Sequence, residues 1–516
     1  MRTFMKKDFS RQFLCLVFFL LVAYTIFLQF IAPVLYGEDS YYHVAVAKFI
    51  RQFGLHYDFH WAQFSTFKEF FSDKDLLFHV LICPFTYLTD NIVLAGKYAV
   101  IFFDVLFLLA YLYILRKYLP DFLVACFLIL PFLSGVFYAY FTFLRPTTLA
   151  NVLFIFSIYF LINKNPVKLF IATVLFTLSH LFFPLIFIFA LITEAIRYFS
   201  KKEFYLRNIY SVLLGIALGT IIHPNFPNNL LSFHLNVILV PYYSFLNVPI
   251  SFGGELSSGP TKNVLLEEFV VFFSFNIIIW LLLVRRIKIS FSTLVWWACS
   301  SIFMASSFIS NRYWYNNIVL FLVFFASFVK DLSDTFQPGR IITKSRYFIL
   351  SYLCVLVLFL KVGLEPIVKL FESQIVLNGD YEEVGKWMLK NIPANEMIYH
   401  AYWSDSPYFI ALNPKNNYLV VLDPMYMLYR YPKEYMLYSD ILKGQVQHPY
   451  KDIQGTFKSK YAFTRKEAPF YSQMNNDHMH FKKLYDTNWS AVFEILPQAE
   501  ETEKANTKKE IRTKKK

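Results

Sequence analysis

Two adjacent carboxylates, Glu38 and Asp39, stand in the short segment Gly37–His43, directly after the first long apolar run of the chain, residues 12–35. A run of about 20 apolar residues crosses a bilayer as a helix, so these carboxylates are expected at the membrane surface. A carboxylate in that position can bind a metal ion, or take a proton from an acceptor beside a lipid-borne substrate. The segment therefore predicts an active site at a membrane face.

The composition excludes an ordinary soluble protein. Of the 516 residues, 57% are hydrophobic and 16% are charged, whereas a soluble domain is typically about 25% charged. The apolar residues come in blocks long enough to cross a hydrocarbon core. The net charge of +13 does not require nucleic acid, because Lys and Arg accumulate in the cytoplasmic loops of membrane proteins. We predict a polytopic α-helical membrane protein whose partner is the lipid bilayer.

The charge of the connecting segments predicts the topology. We assign about 11 transmembrane helices, at residues 12–33, 92–115, 120–138, 146–162, 167–179, 181–198, 206–222, 264–284, 290–309, 314–330 and 346–363. Every second connection is basic, which places those connections and the N-terminus in the cytoplasm. Long external loops then cover residues 34–91 and 223–263. The apolar stretch 76–88 is short and contains Pro84, so we predict a surface or re-entrant helix there.

The chain changes character after the last predicted transmembrane helix. Residues 366–496 combine a helical stretch at 381–391 with short β-rich runs separated by prolines, a pattern typical of an α/β domain. The topology places this domain outside the cytoplasm, in a periplasmic, extracellular or lumenal space. The predicted domains are thus a transmembrane domain, 1–365, an extracytoplasmic α/β domain, 366–496, and a basic disordered tail, 497–516.

Polar residues from separate parts of the chain are predicted on the same external face as Asp39. Cations are rare outside the cytoplasm, yet Arg145 and Arg312 stand beside the external ends of helices. Guanidinium groups pair with phosphate in a bidentate fork, so both are candidates for holding a donor phosphate. The candidates for binding a metal or positioning an acceptor are His43, His180, His223 and Glu255. The first external loop also carries Asp58, Asp73, Asp75 and His79.

These assignments have structural alternatives. Asp39 is well suited to cap the helix that follows it, and Glu38 would then be a solvated neighbour. Arg145 can snorkel to lipid headgroups, and Arg312 lies among aromatic residues typical of an interface belt. A single histidine is more often a packing residue than a ligand.

The element Glu38–Asp39–Ser40–Tyr41–Tyr42–His43, the long first external loop, the many helices and the external C-terminal domain together resemble the GT-C glycosyltransferases. This superfamily includes oligosaccharyltransferase catalytic subunits and protein O-mannosyltransferases. The resemblance implies that Asp39 acts as base or metal ligand, with Glu38 beside it. Tyr402–Trp403–Ser404–Asp405 looks like a degraded form of the acceptor motif Trp-Trp-Asp-Tyr-Gly, so Trp403 and Asp405 are candidates for acceptor binding.

The resemblance implies an inverting glycosyltransferase that moves a sugar from a polyprenyl-phosphate-linked donor to a glycan, lipid or protein acceptor on the extracytoplasmic face. A divalent cation, Mg or Mn, is left open, because the second external Asp-x-Asp of the oligosaccharyltransferases has no clear counterpart near Arg145. Three other functions stay open. A flippase for lipid-linked saccharides should place ionisable residues near the bilayer midplane, and an inactive assembly protein would keep the fold without the chemistry. Another membrane enzyme, such as an O-antigen-type ligase, would be expected to rely on basic residues in a large external loop.

Overall fold

The computed structural model describes residues 2–246, 250, 253–256, 264–265, 268–284, 287–335 and 346–496. Helices dominate this part of the chain, and the strands lie near its C-terminal end. The α-helices are α1 (Arg2–Ile31), α2 (Glu38–Phe53), α3 (Phe67–Phe70), α4 (Leu76–Leu88), α5 (Ile92–Leu115), α6 (Asp121–Ile129), α7 (Gly135–Thr142), α8 (Pro146–Ile162), α9 (Pro166–Thr177), α10 (Pro184–Lys201), α11 (Leu206–Ile221), α12 (Asn228–Phe233), α13 (Val240–Phe245), α14 (Phe269–Val284), α15 (Phe291–Ser307), α16 (Trp314–Thr335), α17 (Arg346–Asn391), α18 (Ser406–Leu412), α19 (Met425–Leu428), α20 (Pro432–Leu442), α21 (Pro449–Gly455) and α22 (Pro469–Asn476). The strands are β1 (Met397–His400), β2 (Asn417–Tyr418), β3 (Tyr461–Arg465), β4 (Phe481–Asp486) and β5 (Ser490–Ile495). The predicted tail, 497–516, lies outside the described residues.

The chain divides into two compact units. The first consists of Met1–Leu55, Ser72–Leu246 and Phe252–Ile375, and the second of His56–Phe71, Asn247–Ser251 and Val376–Lys516. Helix α17 contributes residues to both units. The transmembrane helix predicted at 346–363 and the helical stretch predicted at 381–391 are parts of this one helix.

Apolar helices of membrane length lie in the first unit. Among the described residues, Asp8–Ile31 and Ile92–Leu115 are long and apolar enough to cross a bilayer. These helices agree with the prediction of an integral membrane protein, and the observed bounds of α5 and α8 equal the predicted ones. Several other apolar helices are shorter, namely Leu76–Leu88, Pro146–Ile162, Pro166–Thr177, Leu206–Ile221 and Phe269–Leu283. The count of about 11 spans therefore stays a prediction.

The helix predicted at 120–138 is not continuous. Segments Asp121–Leu133 and Gly135–Thr142 meet at an angle of 88°. Pro131 lies in the 3-10 turn Leu130–Leu133, where its missing N–H removes a helical hydrogen bond. The side chain of Ser134 then accepts a hydrogen bond from Phe137 N and caps α7. A proline followed by a capping serine thus ends one helix and begins the next.

Small residues allow close helix packing in this unit. At Gly215 and Gly219 of α11, an added Cβ would lie 2.8 Å and 2.7 Å from the Cβ atoms of Thr173 and Thr177 in α9. Small residues spaced four apart bring membrane helices together in this way. Helices α9 and α10, joined by residues 178–183, correspond to the two helices predicted at 167–179 and 181–198, and His180 lies between them.

A five-stranded sheet of order β2-β1-β3-β5-β4 forms the centre of the second unit. Strand β1 pairs in parallel with β2 and β3, whereas β5 is antiparallel to β3 and β4. Residues 56–71 extend the sheet beyond β2, since Tyr418 N donates to Trp61 O and Phe64 N donates to Leu419 O, both at 2.7 Å. The sequence predicted this segment only as part of an external loop, and its β-rich runs did not predict β3 and β4.

Candidate active site

The acidic segment forms the first turn of α2, in the first unit. Gly37 precedes the helix with φ 79°, and an added Cβ would lie 3.1 Å from Cγ of Phe143. Both the backbone angle and the space therefore require glycine. Glu38 and Asp39 follow in the first turn of α2, where the helix dipole stabilises negative charge. The turn thus brings Asp39 next to the segment that contains Phe143.

Asp39 forms an ion pair with Arg145. Nη2 of Arg145 lies 3.2 Å from Oδ2 of Asp39, and the two side chains are 15% and 26% exposed. The guanidinium carbon of Arg145 also lies 5.1 Å from the ring centroid of Tyr140, within cation–π range. The structure thus joins the predicted base and one predicted phosphate ligand in a pair that solvent reaches.

Ser40 fixes the segment that carries Arg145. Its buried hydroxyl donates to Tyr36 O at 2.5 Å and accepts from Leu144 N at 3.0 Å. Arg145 follows Leu144 directly, and Pro146 begins α8, at the helix position that proline favours. Ser40, which follows Asp39 in the chain, therefore holds the backbone of Leu144 next to Arg145, the partner of Asp39.

His43 belongs to a buried line of three side chains. His43 Nδ1 lies 2.7 Å from His79 Nε2, and His79 Nδ1 lies 2.7 and 2.8 Å from the two carboxylate oxygens of Asp73. All three residues are at most 4% exposed. Helix α2 supplies His43 and packs against α4, which supplies His79. We call Asp73, His79 and His43 the histidine relay.

His223 anchors the carboxylate end of the relay. Nε2 of His223 donates to Asp73 O at 2.9 Å, and Nδ1 accepts from Asn225 N at 3.1 Å. Asp73 N in turn donates to the side-chain oxygen of Asn225 at 3.2 Å. These bonds use both ring nitrogens of a neutral imidazole, and burial lowers the pKa of His223. Both ring nitrogens of His223 therefore bond to backbone groups of the protein.

His180, in the connection between α9 and α10, lies near Arg312, which is in the turn Asn311–Tyr313. Burial, followed by the charges of Arg312 and Lys74, lowers the pKa of His180 well below its usual value. The guanidinium carbon of Arg312 is 5.7 Å from the ring centroid of Phe182. Burial likewise lowers the pKa of His43, and the charges of His79, Lys74, Arg145 and His180 lower it further. Of the two predicted phosphate ligands, Arg145 therefore acts on His43 directly, and Arg312 acts on its neighbour His180.

Glu255 lies in a short turn near Arg312. The 3-10 turn Gly254–Leu256 packs against the turn Asn311–Tyr313, while the side chain of Glu255 lies outside the described part of the chain. Within that part, no group of three or more His, Cys, Asp or Glu side chains has a metal-binding arrangement. His43 and His79 bond to each other, and Asp39 faces a cation. We therefore assign none of the candidate residues as a metal ligand.

Trp403 and Asp405 are part of the second unit. They form the 3-10 turn Trp403–Asp405, and Trp403 is half-buried. Asp405 is fully buried and accepts from Arg465 at 2.9 Å, from Tyr402 N at 2.9 Å and from the hydroxyl of Tyr381. These contacts hold the turn and the sheet together, so both carboxylate oxygens of Asp405 have internal partners.

Lys74 was not among the predicted site residues, and His79 had no predicted role. Lys74 stands between Asp73 and Asp75 in the first external loop. The argument that selected Arg145 and Arg312, that cations are rare outside the cytoplasm, applies equally to Lys74. No sequence signal links His79 to His43, since the two are 36 positions apart and meet through the packing of α2 on α4.

The fold of this chain is similar to the folds of solved GT-C glycosyltransferases, as the sequence resemblance predicted. The structure of the oligosaccharyltransferase from Archaeoglobus fulgidus in the apo form matches with a TM-score of 0.57 at 13% identity, over 89% of this chain and 70% of that one. Two structures of ArnT from Cupriavidus metallidurans, in the apo state and bound to undecaprenyl phosphate, match with a TM-score of 0.55 at 11% identity, over 94% of this chain and 99% of theirs. No family model and no curated protein sequence matches the chain.

Proposed function

We propose that the chain is a membrane glycosyltransferase that moves a sugar from a polyprenyl-phosphate-linked donor to an acceptor on the extracytoplasmic face. The observation that carries this proposal is the Asp39–Arg145 pair, which places a carboxylate and a guanidinium 3.2 Å apart at a partly exposed site. The fold supports it, because ArnT from Cupriavidus metallidurans shares that fold and binds undecaprenyl phosphate. The proposed topology has a cytoplasmic N-terminus and an extracytoplasmic second unit.

Arg145 holds the donor phosphate in this proposal, and Arg312 is the second phosphate ligand. A phosphate forms a bidentate pair with a guanidinium, so the donor replaces the Asp39 carboxylate at Arg145. Donor binding thereby releases Asp39 to act as base. This exchange links donor binding to activation of the acceptor.

The transfer step follows from these positions. The acceptor oxygen or nitrogen attacks the anomeric carbon while the bond from that carbon to the phosphate oxygen breaks, and polyprenyl phosphate leaves with the electron pair. Asp39 takes the acceptor proton, and Arg145 stabilises the charge that develops on the leaving phosphate. A single displacement inverts the anomeric carbon. None of these reaction steps uses a metal ion, and Mg or Mn is given no role in them.

The test uses the full chain in liposomes with undecaprenyl-phosphate-linked mannose, glucose or galactose carrying a radiolabelled sugar, mixed with a membrane extract as the source of acceptor. The proposal predicts transfer of label and release of undecaprenyl phosphate, both lost in Asp39→Asn. Movement of the donor across the bilayer without transfer would instead indicate a flippase. Absence of both, with every donor and in wild-type protein, would indicate an inactive assembly protein.

A further inference from the structure

The bonds of the histidine relay determine where its protons lie when Asp73 is a carboxylate. Nδ1 of His79 faces both oxygens of Asp73, so Nδ1 carries a proton that it donates to Asp73. Nε2 of the neutral His79 must then accept the proton on Nδ1 of His43, across 2.7 Å. The hydrogen bonds described for His43 use Nδ1, which leaves Nε2 as the nitrogen that can accept a proton.

The charges around the relay differ between its two ends. Burial, and then the charges of His79, Lys74, Arg145 and His180, oppose a positive charge on His43. On its own helix, Asp39 lies one turn earlier, and side chains four apart on a helix have Cβ atoms about 5–6 Å apart. His79 instead contacts the carboxylate of Asp73 directly, and Asp75 lies close to both. A proton that arrives at His43 therefore moves its charge towards Asp73.

We propose that the relay accepts the proton that Asp39 takes from the acceptor. The proposal rests on the proposed function and adds to it a buried site that holds this proton while Asp39 is again a carboxylate. The proton leaves the Asp39 carboxyl group and binds Nε2 of His43, and the proton on Nδ1 of His43 passes to Nε2 of His79. The positive charge then rests on His79 beside Asp73, and Asp39 is again a carboxylate. His43, His79 and Asp73 are thus positioning and proton-transfer residues that act through Asp39.

Two other buried histidines, His400 and His223, bond to backbone groups through both ring nitrogens, as expected for a structural role. In the second unit, His400 donates from Nδ1 to Tyr402 O at 2.7 Å and accepts at Nε2 from Leu419 N at 3.1 Å. His223 bonds to backbone groups through both nitrogens in the same way. The relay differs because its members bond to one another and end at a carboxylate, an arrangement that orients and charges an imidazole in nucleophilic enzymes.

The first test is the pH profile of transfer by the full chain in liposomes. Asp73→Asn keeps an acceptor for His79 but removes the charge that stabilises the protonated relay. We expect the plateau rate to fall about 10-fold to 100-fold and the acid limb of the profile to move to lower pH. His43→Asn keeps a donor towards His79 but cannot take a proton, and we expect a similar loss of rate. An unchanged acid limb in Asp73→Asn, with the rate following only the folded fraction, would overturn the relay.

The second test is chemical rescue. His43→Ala opens a space beside His79, and free imidazole that enters it can accept the proton from Asp39. We expect imidazole to raise the rate of His43→Ala at least about 5-fold with saturation. The control His400→Ala should lose stability and show no imidazole-dependent rate. Folded His43→Ala or His43→Asn with the wild-type rate at every pH would contradict the relay, as would folded, slow His43→Ala that imidazole does not rescue.

The two proposals fail in different ways. If wild-type protein transfers no sugar with any of the donors, the proposed function is wrong. If wild-type protein transfers sugar, Asp39→Asn does not, and the relay variants behave like wild type, only the relay is wrong.

Discussion

The two units each contain an aspartate–arginine pair, and the pairs differ in how completely the protein satisfies them. In the second unit, Asp405 is fully buried and bonds to Arg465, Tyr402 N and Tyr381. In the first unit, Asp39 and Arg145 are 26% and 15% exposed and lie 3.2 Å apart. A carboxylate whose oxygens are taken by internal partners stabilises a fold. A pair that solvent reaches remains available to a ligand, which is the role that we propose for Asp39 and Arg145.

The largest effect is expected from removing the charge of Asp39. Asp39→Asn cannot take a proton from the acceptor, and the loss of a general base typically slows a reaction by about 10²–10⁴-fold. Because the Asp39 side chain is partly exposed, the midpoint of thermal unfolding should change little. Label transfer and thermal unfolding of the same preparation measure both quantities. A rate within a few-fold of wild type would remove the contrast between the two pairs.

Asp405→Asn should show the reverse pattern. Removing one partner of a buried ion pair costs up to about 3–5 kcal/mol, and Arg465 would keep a weaker partner in Glu467, whose exposed carboxylate lies 3.7 Å from its Nη1. We expect a much lower unfolding midpoint, while the transfer rate per folded molecule falls far less than in Asp39→Asn. Denaturant unfolding of the full chain measures the stability. If turnover falls as steeply as in Asp39→Asn without loss of stability, Asp405 contacts the acceptor, as the sequence resemblance predicted.

A pH-dependent effect is expected from Asp75, beside the relay. Burial raises the pKa of Asp75 to about 6 from an ordinary 3.8, so the native state binds this proton more tightly than the unfolded chain does. The stability that this protonation contributes is complete below about pH 4 and is lost as the pH rises through about 6. Asp75→Asn should therefore stabilise the protein relative to wild type at pH 8, by at most about 3 kcal/mol, and make little difference at pH 4. Unfolding midpoints across this range measure the difference, with the exposed Asp58→Asn as control. A gain that is independent of pH would contradict the assignment.

A smaller effect, on KM for the donor, is expected from changes at Arg145. Arg145→Lys keeps the charge and loses the bidentate fork, and Arg145→Ala loses both. We expect KM for the donor to rise about 10-fold in the lysine variant and more in the alanine variant, where tenfold corresponds to about 1.4 kcal/mol. Asp121, which pairs with Arg116 at 3.1 Å, offers a control: Arg116→Ala removes an exposed pair and should leave KM unchanged. An unchanged KM in both Arg145 variants would place the donor phosphate elsewhere.

The sequence predicted those parts of the molecule that depend on local patterns. The length of the apolar runs predicted the bounds of α5 and α8, and the alternating charge of the connecting segments predicted that Arg145 and Asp39 lie on one face. The break between α6 and α7 was missed because Pro131 lies within an apolar run. The relay was missed because it depends on the packing of α2 on α4. The extension of the sheet by residues 56–71 begins with backbone hydrogen bonds to residues 418 and 419, which leave no characteristic pattern in the sequence.

The most direct test of the account is a structure of the full chain in lipid nanodiscs with bound undecaprenyl phosphate. The account predicts that the phosphate oxygens contact the guanidinium of Arg145, and that Oδ2 of Asp39 has moved away from its position 3.2 Å from that guanidinium. A phosphate bound elsewhere, with the Asp39–Arg145 pair intact, would contradict it.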